Sequence, residues 1–217
     1  IISLFILKDS YSKKIKIIKN NKVKNNLIIS ISREHGTNGK EIGRLVANKL
    51  NIPFYDKEEI KEFAIKNNMI DNNYSEEEIY DNFLSLDANK LAIINQAKVI
   101  KEIANNSDAV IIGRCADYIF RDRRNVLNIY IYAPVDARYK NCVEVLRMKP
   151  EEATKMIYKV DKARTAYHRR YAKYAPGDPD SKQIMIDSSM LGVKGTAEVL
   201  AEIVQRRFGL WILTKLL

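Results

Sequence analysis

Between Leu27 and Gly43 the chain carries the residue types that bind an anion, in an order that suits phosphate. Gly36-Thr37-Asn38-Gly39-Lys40 combines two glycines, a hydroxyl, an amide and a terminal lysine. Glycines let backbone N–H groups approach a ligand closely, and the lysine adds a mobile positive charge. The usual phosphate loop reads Gly, four residues, Gly, Lys, then Ser or Thr. Gly39 and Lys40 fit. Glu34 stands at the first glycine position, where Gly36 can take over the turn, and Glu41 stands where Ser or Thr would hold Mg²⁺. Thr37 can offer its hydroxyl to a phosphate or to Mg²⁺. Glu41 has two readings: a water-mediated partner of Mg²⁺, or a first-turn acid that favours the helix dipole. The plain alternative for the whole segment is a surface turn capped by Asn38 or Gly39.

The elements around the loop favour the phosphate reading. Leu27–Ile31 is a short, β-branched apolar run, which predicts a buried strand, and Glu41–Leu50 has helical character. Beyond Pro53 the pattern predicts a helix over 57–67, a polar connection over 68–74, and another helix opened by Ser75 with Glu76, Glu77 and Glu78 in its first turn. Residues 89–105 carry apolar side chains at helical spacing. Ala109–Ile112 and Leu127–Tyr132 read as buried strands and Val135–Met148 as a helix. A long charged helix runs from Glu151 to Tyr174, ended by Pro176-Gly177-Asp178-Pro179. A strand over 183–186 and a helix over 193–207 close the series. Strands alternating with helices predict a parallel sheet covered on both faces. Right-handed crossovers place the loops that follow the strands along one edge, where ligands bind.

Three ordered blocks carry a resemblance to a known family. Ile31 to Gly43 followed by Ile52-Pro53-Phe54-Tyr55-Asp56-Lys57, then Val110 to Tyr118, then Ile186 to Gly192, are together similar to the cytidylate-kinase-like family of P-loop proteins. The similarity spans residues 27 to 208. It implies a three-layer α/β fold: a P-loop NTPase-type parallel sheet with helices on both faces and a helical lid. It also makes Glu41 a family trait. In domain terms, 1–26 is a basic flexible lead and 27–208 the kinase domain. Within that domain the acceptor lobe lies at about 56–89 and the lid at about 151–175. Residues 209–217 form an apolar tail.

The resemblance implies roles for particular residues. Gly36, Thr37, Asn38, Gly39, Lys40 and Glu41 would hold the donor phosphates, with Thr37 and Glu41 toward the metal. Arg138, at the start of a helix, would lie on the donor base; Cys142 stands where a second arginine usually follows. Arg114 would meet the acceptor phosphate. Cys115 replaces an aspartate there, and Asp117 is the residue that can substitute in base recognition. Asp161 and Arg164, three apart and so on one helix face, would touch the acceptor's sugar and phosphate, with His168 one turn on. Lys155 and Lys159 stand where lid arginines are usual and lack their bidentate fork, so transition-state clamping is either weaker or falls to Arg169; the catalytic residues implied are Lys40, Arg164 and Arg169. Tyr55 and Asp56 fall where acceptor-pocket residues lie. Each has a structural counterpart reading: Arg114 paired with Asp117 or Asp122, the charged helix laced with ion pairs, and Asp56 as a helix cap.

Composition narrows the partners. Of a formal net charge of +10 over 217 residues, seven Lys and one Asp lie in the first 26, so the rest is close to neutral. That favours a basic lead on a near-neutral enzyme over a nucleic-acid binder. The two cysteines show no metal or redox spacing and suit a cytoplasmic location. The apolar runs at 1–7 and 209–217 are too short to span a bilayer. The expected activity is ATP- and Mg²⁺-dependent phosphorylation of a nucleoside monophosphate, CMP first. The alternatives are a kinase for another small phosphate or hydroxyl acceptor, and a nucleotide-binding regulator without turnover. Removing residues 1–24 is expected to leave nucleotide binding nearly unchanged.

Overall fold

Strand β1 (Ile28–Arg33) is buried along nearly its whole length because it runs through the centre of the molecule. In the computed structural model, which describes residues 26–70 and 90–213, β1 is flanked on both sides by parallel partners. β2 is Phe54–Tyr55, β3 Ala109–Ile112, β4 Val126–Tyr132 and β5 Ile184–Asp187. The sheet order is β2-β3-β1-β4-β5, all parallel, with Ile29 level with Val110 on one side and Leu127 on the other.

The two-residue period of a strand divides the core into two layers of packing. Leu27, Ile29 and Ile31 face one way and meet Ile42, Val46 and Leu50 of helix α1 (Gly39–Leu50), while Leu200 and Val204 belong to the same cluster from the C-terminal helix. Ile28, Ala109 and Ile111 face the other way. They meet Ile60 and Ala64 of α2 (Lys57–Lys66), Ile100 and Ile103 of α3 (Lys90–Asn106), and Ala116 of α4 (Ala116–Ile119). Helix, sheet and helix make three layers, as expected from the sequence. A smaller cluster of Cys142, Ala153 and Ile157 joins α5 (Val135–Glu144) to α6 (Pro150–Ala172). The chain closes with a 3₁₀ turn (Pro179–Ser181), β5 and α7 (Gly192–Leu213).

Three differences from the sequence reading have local causes. β2 is a two-residue edge strand, too short to show a period, and β3 is its one strand partner. α4 is a four-residue turn with no apolar repeat to betray it. α5 ends at Glu144 and not at Met148, because Arg147 takes a left-handed conformation (φ 57°) and Met148 N–H folds back to Cys142 O before Pro150 opens α6. The basic lead, the Ser75-capped helix and the last residues of the apolar tail lie outside the described residues.

Candidate active site

The carboxyl ends of β1 and β3, the start of α2 and the middle of α6 enclose a cavity of about 440 Å³. β1 has β3 on one side and β4 on the other, so the chain's direction of winding reverses here, which is where open α/β sheets bind ligands. The loop that joins β1 to α1 forms the adjoining wall.

Hydrogen bonding around this loop is one-sided. Its carbonyls are taken up by surrounding side chains: Arg33 O by Arg164, His35 O by Arg138, Gly36 O by Asn141 and Thr37 O by Ser188. Its backbone N–H groups from Gly36 to Glu41 have no acceptor among the described residues. Backbone donors are rarely left so, and a run of them at a helix start is the chemistry of an anion site. The geometry is set locally. Asn38 caps α1 in the left-handed region (φ 56°), its amide donating to Asn141, and Gly36 turns at φ +84° against the backbone of Arg138.

Lys40 points toward the start of α2, not across the loop. Its ammonium pairs with Asp56 and lies 3.5 Å from Glu58. Asp56 is both a helix cap and part of the cavity wall. Its carboxylate accepts from Glu58 N–H, Glu59 returns a bond to Asp56 N–H, and Asp56 also lines the cavity. Burial opposes its ionisation, but these hydrogen bonds and Lys40 outweigh it and hold its carboxyl well below the usual range. Asp56, Glu58 and Glu59 are also the carboxylates among the described residues whose oxygens lie close enough to share a cation, within 4.8 Å. The capping box and Lys40 already account for that closeness. Thr37 is buried and donates to Glu34 O, and Glu41 is exposed in the first turn of α1.

The charged residues of α6 divide into two sets. Arg164 lines the cavity, together with Arg114 and His168. Asp161 instead bridges α6 to the loop, accepting from His35 N–H at 2.7 Å and from Arg138 at 2.5 Å. Arg138 is buried between Asp161 and Glu34, so the side chain expected on a donor base is engaged under α6. Arg169, Lys155 and Lys159 are exposed and lie off the cavity lining.

Asp117 lies outside the lining, almost fully buried, with both oxygens engaged by Lys182, His168 and Tyr174. Tyr55 packs edge-on against Phe63, also off the cavity lining. Cys115, where base recognition was in question, is buried, and its thiol is pushed up by burial.

One residue escaped the sequence reading altogether. Arg33, the last of β1, lies against the loop with its stem over Gly39 and its guanidinium over Gly113. A Cβ at Gly39 would stand 2.8 Å from Arg33 Cβ and Cγ, so a side chain there collides with the root of the arginine, and one at Gly113, which sits at φ +70°, would stand 2.6 Å from Nη1 and displace the guanidinium. The signal in the sequence is an arginine just after an apolar strand run, where the loop pattern asks for no charge.

Among the described residues no helix is long and apolar enough to cross a membrane. None of the curated proteins matches the sequence. Among solved structures the chain is similar to a protein of uncharacterised function from Eubacterium ventriosum. The two are 27% identical with a TM-score of 0.67 over 83% of this chain and 99% of that one. It also resembles a shikimate kinase from Bacteroides thetaiotaomicron, at 13% identity and a TM-score of 0.54 over 82% and 98%, a likeness of fold. A family model described as cytidylate kinase-like matches residues 28–190, from the start of β1 to the turn before α7, and takes in the loop, the cavity and α6 alike; the chain belongs to the cytidylate kinase-like family.

Proposed function

We propose that the protein transfers a phosphoryl group from ATP–Mg²⁺ to a small phosphorylated acceptor, a nucleoside monophosphate with CMP first. The observation that carries this reading is the run of backbone donors from Gly36 to Glu41 beside a cationic cavity at the strand ends. Phosphoryl transfer asks for positioning and positive charge more than for a protein nucleophile, and the site offers those two things. Family membership supports the kinase class.

The residues fit the donor. The loop N–H groups would hold its phosphates, and Lys40 would leave Asp56 to join them. Glu41, exposed beside the loop, and Thr37, whose hydroxyl now donates to Glu34 O, are the proposed contacts to Mg²⁺. ATP–Mg²⁺ would supply the transferred group. Arg114 and Arg164 would receive the acceptor's anionic end, with Asp56 and Tyr55 toward its remainder. Asp161 and Arg138 would fasten the lid, about 151–175, over the loop, while Asp117 would support the acceptor pocket from below. Lid closure excludes water and so suppresses hydrolysis of the donor. Arg169 enters only if closure carries it inward. The acceptor lobe is proposed at about 56–89. A cytoplasmic location fits the two buried, unpaired cysteines.

A second reading, a kinase for another small anionic acceptor, is favoured by one observation. No carboxylate on α4 is available to read a base, since Asp117 is engaged by Lys182, His168 and Tyr174. Measuring ADP release from ATP with each nucleoside monophosphate, and with phosphorylated sugars, separates the two. Turnover with CMP is expected. Turnover with none of these acceptors, despite ATP binding, sinks the kinase reading and leaves a nucleotide-binding regulator.

A further inference from the structure

Three guanidiniums meet in the cavity, and the least expected of them is Arg33. We propose that Arg33, with Arg114 and Arg164, forms a built site for a tetrahedral dianion, the phosphate of the acceptor, and that Arg33 sets its position next to the donor loop. This deepens the acceptor reading above, on which only the identity of the anion's carrier depends.

The side chain of Arg33 is aimed. It leaves the end of the central strand, and glycines at 39 and 113 clear the path along which it lies. Its backbone carbonyl is held by Arg164 Nη1 at 3.2 Å, which ties two of the three cations together. Arg114 approaches from the end of β3 in the left-handed region (φ 57°), as does Cys115 after it (φ 53°). Non-glycine residues hold that conformation at a cost, and sites that do so often bind something.

The charge of Arg33 has no counter-ion in direct contact among the described residues. Arg138 has Glu34 and Asp161, and Arg44 has Glu59. Arg33 has no side-chain hydrogen bond or ion pair among the described residues. The carboxylate nearest Arg164, Asp161 at 3.9 Å, is already bound by Arg138 and His35 N–H. Burial, then the charges of Arg164 and Arg114, lower the pKa of Arg33 to about 9, so it remains a cation at neutral pH and repels its neighbours. Partly buried like charges destabilise a fold. An incoming dianion removes that repulsion and meets planar donors suited to phosphate oxygens.

Arg33→Met tests this, because it keeps the stem over Gly39 and removes only the charge. Inorganic phosphate and, separately, ADP are titrated calorimetrically, with melting curves of the unliganded proteins. The expected result is an unliganded melting temperature equal to or above that of wild type, phosphate binding at least tenfold weaker, and ADP binding within twofold. Arg33→Lys keeps a charge without the fork and is expected to weaken phosphate several-fold at unchanged melting temperature. A melting temperature that falls in Arg33→Met while phosphate binding is unchanged makes Arg33 structural and overturns the proposal. So does a loss confined to ADP, which would assign Arg33 to the donor loop. If Arg33→Met does not fold, Arg33→Lys decides: undiminished phosphate affinity overturns the proposal. Arg33-dependent phosphate binding in a protein that releases no ADP with any acceptor sustains the site and removes the kinase reading.

Discussion

At the scale of single residues, the contest is over Lys40. Its ammonium is bound to Asp56, and this hydrogen bond raises its pKa, so the charge proposed to serve a donor phosphate is held toward the start of α2. Asp56→Asn separates the two duties of that carboxylate. Asparagine caps a helix about as well as aspartate, so α2 should survive, while the pull on Lys40 is lost. Exposed or half-exposed pairs contribute up to about 1 kcal/mol, so ATP–Mg²⁺ affinity should rise by up to about fivefold, measured calorimetrically. Unchanged ATP affinity with a raised acceptor KM would leave Asp56 to the acceptor alone. Lys40→Ala should lower kcat by ~10²-fold, the scale for losing one preorganised donor, with a smaller change in ATP affinity. The loop and Lys40 were legible in the sequence because their types and spacing are local. Which way Lys40 points was not, because its partner lies across a strand and a turn.

At the scale of elements, α6 is fastened to the loop through one buried arginine. Arg138 on α5 reaches Asp161 on α6 and Glu34 in the loop, and Asp161 in turn accepts from His35 N–H. Glu34 has its pKa raised, chiefly by burial, and Ala133 N–H and Arg138 counter the shift. Arg138→Met removes the cation and leaves two carboxylates facing each other. Breaking a buried pair costs about 3–5 kcal/mol, and α6 should loosen from the loop, seen as lower stability to urea and faster hydrogen exchange in that helix. If Arg138 served only the donor base, ATP binding would fall and stability would hold. α6 itself could be read from Pro150 at its start and its long charged run, and the observed Pro150–Ala172 agrees with that reading. Its contacts could not be read, because helical spacing places Asp161 and Arg164 on one face without saying that one meets the loop backbone and the other the cavity. β2 and α4 were missed for the opposite reason: too few residues to carry a period.

At the scale of the whole molecule, the cavity stands on a buried ionic network that ties three parts of the chain together. Asp117 on α4 accepts from Lys182 at 2.6 Å, just past the 3₁₀ turn, meets His168 Nε2 near the end of α6, and accepts from Tyr174 beyond that helix. Both Asp117 and Lys182 are nearly inaccessible. The alternation of strands and helices disclosed the sheet and its order of layers, since each step is local. This network depends on residues separated by 51 to 65 positions, and nothing in their spacing announced it. Its signature is dependence on acid. Burial alone would raise the pKa of Asp117, but the bond and charge of His168 and then of Lys182 win and bring it to about 2. A carboxyl depressed in the folded state contributes stability above its unfolded pKa and loses it as pH falls toward the folded value. The window is therefore pH 4 to 2, and the contribution about 2–3 kcal/mol. Asp117→Asn should cost about 3–5 kcal/mol at pH 7, because Lys182 is left buried without its counter-charge. The gap between wild type and variant should narrow as pH falls from 4 toward 2, where wild-type Asp117 is itself protonated. Urea denaturation at half-unit steps of pH measures this. A gap that stays constant through that window would show that Asp117 acts by shape alone.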